Sequence, residues 1–597
     1  MWVCLGVSSV YQRRKKTVRR RCACETPPLC RSRAQRTPPK TQAVFRARVN
    51  FSARACVNTT IMPKQGAAGS TPMRDQAYQD MAHLLRRAGF GASSADITAA
   101  NGRGVGAVTD DLLHPERTPD TTNDADMVRR LASLVPEDRR TNKRGDVFLP
   151  LQTVKMWWVQ RMIASPHPLV EKMTLFWHGH FTSKDGNQQG DFMMRQNQLF
   201  RANALGNFRT LTQAVSRDPE MLRYLNGSQN YKAHPNENYG RELMELYTCG
   251  IGNYTEDDVK AAARAFSGWN LRGGEFVFNA NNHDNDPKTF LGKTGNWNGD
   301  DIVDILVAHP ATAARLCRQL FAFFAYPNPE QPVLNALVQT YYSSGYDLRA
   351  VVGTILRSRA FYSDKARYGL IKSPAQYVVG TVKMMGLDKA FTLQPGDITP
   401  ANDMASNPGA APANATDQQR QSGRRLGVLA SLPLAMRSMG QDLLEPPSVK
   451  GWDGNEAWIN TSTLLARINF ANLMSQSRLA FGGEFARATD FVQEKGFSAG
   501  QYVDFLAETL GPLPLSAQTR QTIVDYINQP DVAPTDGAFG GAQAAVSPAD
   551  LPRFGRGKRQ AGNLYARVRA RTGAGGMEAR LRAALPLVMA TPEYQVC

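Results

Sequence analysis

The chain has 597 residues, of which 42% are hydrophobic and 21% charged, and this is the composition of an ordinary globular protein with room for roughly two to four domains. Its net charge of +19 would suggest a nucleic-acid or membrane partner, but residues 1–64 alone carry +14, with fifteen Lys or Arg and a single acid, Glu25. The rest of the chain carries only +5, so we expect no nucleic-acid partner. No apolar run reaches the roughly 18 residues that a membrane-spanning helix needs, so we expect no membrane span.

The basic leader, residues 1–72, lacks the periodicity of a core-forming segment and the roughly 7–15-residue apolar stretch of a secretory signal. It holds five of the eight cysteines, so the body has no even set that would indicate a disulfide framework. One interpretation is an arginine-rich transit peptide. We favour a start codon placed too early, with translation beginning at Met62 or Met73, because the composition changes abruptly there. With no recognised signal, the default expectation is a cytoplasmic protein.

The body is predicted to be helical from its beginning. Apolar residues at helical spacing predict helices over 81–88, 149–165, 167–181, 191–226 and 300–327. Thr255 and Asp258 form a capping box that marks another helix start, and Pro310 opens the second of two helices in the last of these ranges. Only residues 274–279 alternate as a strand does, which predicts a short hairpin.

These elements predict an all-α protein with two helical lobes and only minor β-structure. A stretch rich in Pro, Ala, Asn and Gly, residues 391–424, predicts a linker or loop. It would separate a main helical domain, 73–390, from a C-terminal helical region, 425–597, that packs on it. A second loop is expected near 530–562.

The common signatures of hydrolases, zinc proteases and redox dithiols are absent from the sequence, since it has no G-x-S-x-G, H-E-x-x-H or C-x-x-C. Gly292-Lys293-Thr294 resembles the end of a phosphate-binding loop. Such a loop needs a glycine five positions earlier, where Pro287 stands, so we reject that interpretation.

The first segment with candidate chemistry is FWHGHF, residues 176–181, which contains His178 and His180. On a regular helix these side chains would point in opposite directions, whereas on an extended segment they would share a face. If Gly179 allows local unwinding, the pair could bind one metal ion. The alternative is a helix end at which both histidines bond main-chain carbonyls.

The second segment is HPNENYGRELMELY, which begins at His234 and places a polar loop before a helix. Glu242 and Glu245 are three residues apart and, beside Glu237 of the loop, could bind a cation or form an acid/base pair. The alternative is an ion-pair network in which Arg241 neutralises its neighbours and pairs with Glu245. We assign orienting or structural roles to a set of four residues: Arg241, Glu245, Asn236 and Asn238.

The third segment, NNHDNDPKTFLG at 281–292, holds His283 and Asp284 in a loop after the expected strand. An adjacent His and Asp can be a metal ligand with its orienting partner or a general base. The alternative is a turn rich in Asn and Asp, whose side chains stabilise the backbone and have no catalytic or metal-binding role. Together the three segments supply nitrogen and oxygen donors of the kind that suits a divalent metal.

Six motifs in order resemble those of the bacterial "domain of unknown function 1800" family. They are HLLRRAGFG (83–91), LFWHGHF (175–181), the stretch NENYGRELMELYTCGIGNYTEDDVKAAARAFSGW (236–269), HD followed by KTFLG (283–292), KSPAQYVVG (372–380) and GQDLLEPPSVKGWDGNEAWI (440–459). The resemblance covers roughly residues 80–597. It implies a predominantly helical fold, no assigned activity or cofactor, and a neighbouring gene whose sulfatase-like product is a candidate partner. Many members resemble exported proteins, so the resemblance also implies export.

Two functions remain open from the sequence, so whether the protein is an enzyme stays undecided. In the leading hypothesis it is a metal-dependent hydrolase with a divalent metal, and a carboxylate acts as general base on a metal-bound water. The metal ligands would be His178, His180 and His283, and the catalytic carboxylates Glu237, Glu242 and Asp284. In the alternative it is a non-catalytic helical binding or assembly protein whose polar motifs form a buried network.

Overall fold

The computed structural model describes residues 75–132, 147–186, 190–391, 417–476, 487–530 and 576–597. Most of these residues are helical, and their β-strands form two short antiparallel hairpins. The predicted all-α fold with minor β-structure is therefore confirmed. The predicted leader and most of the predicted linker and second loop lie outside the described residues. The division of the body into two domains stays a prediction.

The helices before the hairpins are α1 (Gln76–Ala88), α2 (Ser94–Asn101), α3 (Val105–Leu113), α4 (Asp124–Ala132), α5 (Leu151–Ala164), α6 (Pro168–His180), α7 (Asp191–Ala202), α8 (Phe208–Ser216), α9 (Pro219–Tyr224), α10 (Asn238–Glu242) and α11 (Glu256–Ala265). A π-helical turn, Leu243–Tyr247, continues α10.

The helices after the hairpins are α12 (Gly299–Val307), α13 (Pro310–Phe324), α14 (Gln331–Ser343), α15 (Leu348–Leu356), α16 (Pro374–Met384), α17 (Asp388–Phe391), α18 (Asp417–Ser438), α19 (Thr461–Gln476), α20 (Ala488–Lys495), α21 (Ala499–Thr509), α22 (Ala517–Ile527), α23 (Met577–Ala590) and α24 (Pro592–Gln595). Short 3₁₀ turns lie at Pro115–Arg117, Gly227–Gln229, Ala280–Asn282 and Asn455–Trp458.

Local sequence signals set where many of these helices begin. The capping box predicted at Thr255 and Asp258 is present at the start of α11, because each side chain accepts a hydrogen bond from the other residue's backbone N–H. Pro310 opens α13, and Ser373 caps α16 by accepting from the backbone of Gln376. These caps satisfy N–H groups that the first helical turn leaves without an intrahelical partner.

The predicted hairpin is confirmed as β1 (Trp269–Arg272) paired antiparallel with β2 (Glu275–Phe278). Its turn consists of Gly273 and Gly274, both at positive φ, a conformation in which glycine carries no Cβ penalty. A second hairpin, β3 (Lys288–Phe290) with β4 (Lys293–Gly295), was not predicted. Strands of three residues are too short to show an alternating pattern.

Buried apolar side chains form two clusters. The first joins α1–α3 to helices from α8 to α15, and the second joins α5 and α16 to helices from α18 to α24. Helix α6 contributes to both, since Met173 and Trp177 belong to the first cluster and Leu175 to the second. Its last turn therefore lies between the two clusters. No helix in the described ranges is both long and apolar enough to cross a membrane.

Candidate functional site

The two histidines of FWHGHF lie on the last turn of α6, which continues regularly to His180. The local unwinding expected at Gly179 does not occur, and the helix closes with the Phe181 N–H donating to the Trp177 carbonyl. Because the helix is regular here, the two imidazoles point to different sides. His178 and His180 therefore do not share a face, and the extended arrangement predicted for metal binding is not formed.

His178 is held by a segment far along the chain. Its Nε2 accepts a hydrogen bond from the Leu444 backbone N–H at 3.1 Å, and only 1% of the residue is exposed. The ring meets Trp158 edge-on, with 5.1 Å between centroids, and lies 5.5 Å from the Trp452 ring. Burial, and then the nearby Lys155 charge, lower the pKa of His178 to about 3. The imidazole is therefore neutral, and its Nε2 lone pair is engaged by the backbone.

His180 lies among aromatic rings on the other side of α6. Its Nε2 donates to the Tyr247 carbonyl at 3.0 Å, and its ring stacks on Phe176 at 5.9 Å and meets Phe181 edge-on at 4.6 Å. Burial lowers the pKa of His180 to about 3, against the opposing effect of the bond to Tyr247. This neutral ring ties the first motif segment to the second.

The second segment reaches His180 through the π-helical turn. A π turn leaves carbonyls outside the regular helical ladder, and such turns recur at functional positions. Here the Leu246 carbonyl accepts from Arg315 Nη2 at 3.0 Å, while the Tyr247 carbonyl accepts from His180. Thr248 Oγ1 donates back to the Leu243 carbonyl. The freed carbonyls are thus taken up by side chains of α6 and α13.

The charged residues of the second segment form ion pairs near the surface. Arg241 pairs with Glu237 at 3.1 Å and with Glu256 at 2.7 Å. The expected Arg241–Glu245 pair is not formed, since Glu245 instead accepts from Tyr254 Oη at 3.1 Å. The π turn changes the angular spacing after residue 242, so residues four apart no longer align.

Three further predicted residues lie beside this network. Glu242 is half-buried, and its pKa is raised by burial and then by the neighbouring Glu245 charge. Asn236 accepts from the Asn238 backbone N–H through its Oδ1 at 3.0 Å, and its own N–H donates to Asn230 Oδ1 at 2.9 Å. The two asparagines therefore order the loop that leads into α10.

The third segment is tied to the end of α11. His283 Nδ1 lies 2.8 Å from the Ser267 carbonyl, and Arg264 holds the Asp284 carboxylate through two bonds of 2.6 and 3.1 Å. Arg264 also lowers the pKa of Asp284. Lys288 donates to the Asp284 carbonyl at 2.6 Å. His283 and Asp284 thus fix a loop, and each side chain bonds another residue of this chain.

The structure brings the first and second predicted segments together through His180 and Tyr247. It does not assemble the predicted ligands, and among the described residues no three His, Cys, Asp or Glu side chains are grouped so that they could hold a metal ion. A concave surface lies elsewhere: a cleft of about 390 Å³ beside the HLLRRAGFG motif, lined by Leu85, Arg103, His167 and Lys383 among others. None of the predicted site residues lines that cleft.

Sequence reasoning missed a buried acidic group between α6 and α9. Asp185, Asp218 and Glu220 are each at most 2% exposed. Arg223 lies 2.7 Å from both Asp185 Oδ1 and Glu220 Oε2, and Gln196 donates to Asp218 Oδ1 at 2.8 Å. The only sequence signal was Asp218 before Pro219, which is typical of a helix N-cap and indicates structure rather than chemistry.

The pKa values of two carboxyls in this group are raised toward neutral pH. Burial raises the pKa of Glu220 to about 8, opposed by Arg223 and reinforced by the charges of Asp185 and Asp218. Burial likewise raises the pKa of Asp218 to about 6, opposed by the hydrogen bond from Gln196. Glu220 is thus mostly protonated at neutral pH.

Fold and geometry together define a predominantly helical protein whose three candidate histidines are buried and bonded to the main chain. The model of the family described as "Protein of unknown function (DUF1800)" matches residues 83–596, so the chain belongs to that family. The resemblance drawn from the six motifs is confirmed. No curated protein and no solved structure matches the chain.

Proposed function

We propose that this protein is a non-catalytic helical binding or assembly protein, in which the motif residues form a buried polar network that fixes how the helices pack. One observation carries the proposal. Each of the three imidazoles predicted to bind metal instead bonds the main chain of another segment: His178 at Leu444, His180 at Tyr247 and His283 at Ser267.

A network of this kind makes a fold specific. A buried polar group that keeps its partner costs little, whereas the same group without its partner loses its solvation and gains nothing in return. The bonds of His178 and His180 join segments that are far apart in the sequence, and the Arg264–Asp284 pair closes the loop that follows β2. Because these residues bond one another or the main chain inside the fold, other residues, on the surface, would bind a partner molecule.

Metal analysis combined with unfolding measurements tests the proposal. We expect purified protein to hold no stoichiometric metal. His180→Ala and Arg264→Met should each lower the free energy of unfolding by about 2–3 kcal/mol, because Tyr247 O or Asp284 loses its partner in a partly or fully buried place. His234→Ala, at an exposed histidine, is the matched control and should change it little.

The opposite result would point to the enzyme. If stoichiometric metal is present and is lost in the His178→Ala, His180→Ala double variant, while the free energy of unfolding of the metal-free protein stays unchanged, the network proposal fails.

A hydrolytic enzyme, as predicted from the sequence, is a second candidate that one observation favours. Glu220 and Asp218 have pKa values raised to about 8 and about 6, and a protonated carboxyl beside an ionised one is what general acid/base catalysis needs. The test is a screen of ester and phosphate substrates with Glu220→Gln, which keeps the shape of the side chain. Loss of a measured activity with the fold retained supports this candidate. No activity in the unmodified protein, with or without added divalent metal, counts against it.

A further inference from the structure

Cys597 lies in a part of the fold that the proposed function does not use. Its Sγ accepts a hydrogen bond from Arg87 Nη1 at 2.8 Å, and the residue is fully buried. The main chain of this segment is held beside residues 370–371: the Cys597 N–H donates to Leu370 O at 2.8 Å, and Val596 forms an isolated bridge with Ile371. A helix of four residues, α24, precedes it.

Two buried lysines act on the same thiol. Lys172 and Lys372 are each 2% exposed, and both interact electrostatically with the sulfur. The Lys172 ammonium lies between aromatic rings, 5.1 Å from Phe90 and 5.3 Å from Phe323, and that of Lys372 lies 3.5 Å above the Tyr594 ring. In the described residues neither ammonium donates a hydrogen bond to a protein oxygen or pairs with a carboxylate.

Two further cations of the described residues, Arg86 and Arg467, also interact electrostatically with this thiol. Arg86 donates to the Gly511 carbonyl, and Arg467 donates to Gln595 Oε1 and to the Lys372 carbonyl. No carboxylate of the described residues forms an ion pair with any of the five cations, which are Arg86, Arg87, Lys172, Lys372 and Arg467. Burying cations without an anion is costly, so these surroundings favour a negative charge on the sulfur.

The other two buried cysteines of the described residues provide a contrast. Burial alone would raise the pKa of the Cys597 thiol, but the surrounding cations, Arg87 first, bring it below its usual value. Burial raises the pKa of Cys317 to about 12, and it also raises the pKa of Cys249. Similar burial thus has opposite consequences, and the cations make the difference.

We infer that Cys597 is a site of oxidation by a small hydroperoxide, where Arg87, Lys172 and Lys372 hold the sulfur as thiolate and then bind the oxygen that is added. The thiolate attacks one peroxide oxygen, an S–O bond forms and the O–O bond breaks. The sulfur loses two electrons to the peroxide, and the leaving hydroxide takes the proton of the oxygen that was added and becomes water. The sulfenate that forms keeps its negative charge, and its oxygen is an acceptor for the two ammonium groups.

Hydrogen peroxide is close to water in size, and the segment that covers the sulfur is short. Its main chain is held by the bridge to Ile371, by the bonds between Leu370 and Cys597 and by the bond from the Lys372 N–H to the Gln595 carbonyl, and Arg467 also bonds the Gln595 side chain. Peroxide reaches the sulfur through a local opening of this segment.

Trapping of sulfenic acid tests the inference on the full-length protein. The native protein is treated with hydrogen peroxide and dimedone, and peptide mass spectrometry measures each cysteine separately. We expect Cys597 to be labelled at least about tenfold faster than Cys249 and Cys317, because reactivity follows the thiolate fraction. Its rate should rise less steeply with pH than the rate at Cys317, which should rise about tenfold per pH unit, because the pKa of the Cys597 thiol is lowered and that of Cys317 is raised. Equal rates, or a Cys597 rate that rises as steeply as that of Cys317, would overturn the inference.

The cations are tested by Lys372→Met and Lys172→Met, which keep the length of the apolar side chain. Each should slow labelling of Cys597 severalfold, since loss of a nearby cation raises the pKa of the thiol and lowers its thiolate fraction. Lys383→Met is the matched control, because Lys383 donates to the Ile163 carbonyl and is not among the cations around the sulfur. Unchanged labelling of Cys597 in both folded variants would show that the lysines do not promote its oxidation. If a variant does not fold, the rates and pH profiles of the native protein still decide the question.

Discussion

His178 and His180 are separated by one glycine, yet their environments share little. His178 accepts a hydrogen bond from a backbone N–H, and His180 donates one to a backbone carbonyl. The sequence showed that the pair was unusual, but it could not show these roles. The partner of His178 is 266 residues away, and no local pattern identifies a backbone N–H at that separation.

The burial of these two imidazoles makes stability depend on pH. Their pKa values are about 3 in the folded protein and ordinarily about 6.5, so between these values the unfolded chain binds more protons. The free energy of unfolding should therefore fall as the pH is lowered from about 6.5 toward about 3. His180→Gln keeps a donor for Tyr247 O but does not titrate, so its acid dependence should be shallower. Urea unfolding at several pH values measures this.

His234→Gln, at an exposed histidine, is the matched control and should leave the slope unchanged. A slope in His180→Gln equal to that of the unmodified protein would contradict the prediction. The carboxyls act in the opposite sense: the pKa values of Asp218 and Glu220 are raised, so their contribution declines as the pH rises from about 4 toward 8. The two effects together give a stability maximum between acid and neutral pH.

At the scale of elements, the sequence predicted what is local. The capping box at Thr255, the proline that opens α13 and the strand near 274–279 were all predictable, because each signal lies within a few residues of the structure it sets. The π turn was not, since the apolar spacing of LMELY also fits a regular helix. The acidic group was missed because Asp185 and Glu220 come from different elements and meet only in the fold.

The loop after α18 depends on one close approach to the end of α6. Gly451 has φ +85°, and a Cβ there would lie 2.8 Å from the Gly179 carbonyl and 3.1 Å from Thr182 Cγ2. Gly451→Ala should therefore lower the free energy of unfolding by about 2–3 kcal/mol, through backbone strain and steric overlap together. Thermal and urea unfolding measure this loss.

Gly454 offers a matched control a few residues further on. Its φ is +74°, but a Cβ there would meet nothing closer than Trp458 Nε1 at 3.9 Å. Gly454→Ala should show only the cost of the backbone conformation, about 1 kcal/mol. Equal losses at Gly451 and Gly454 would show that the contact with α6 contributes nothing.

At the scale of the whole molecule, a buried cation joins α5 to the segment that follows α18. Lys155 is 5% exposed at its side chain and bonds both Asp442 and Glu445. Lys155→Met leaves two poorly solvated carboxylates facing each other, so the free energy of unfolding should fall by about 3 kcal/mol. Urea unfolding checks this, and adding Asp442→Asn and Glu445→Gln should restore part of the loss.

Lys450→Met is the comparison at the surface. Lys450 pairs with Asp453, and both side chains are about 70% exposed, so the loss should stay below about 1 kcal/mol. A loss at Lys155 no larger than the loss at Lys450 would mean that burial adds nothing to the strength of this pair.

The hydrogen bond from Leu444 to His178 also dictates an order of events during biosynthesis. When the codon of His178 is translated, the codon of Leu444, which will bond it, lies another 266 positions along the message. At roughly 5–20 residues per second, the wait lasts roughly a quarter of a minute to a minute. During that interval Trp158 and His178 lack the segment that contacts them in the folded protein, so this part of the native fold is completed only after Leu444 has been translated.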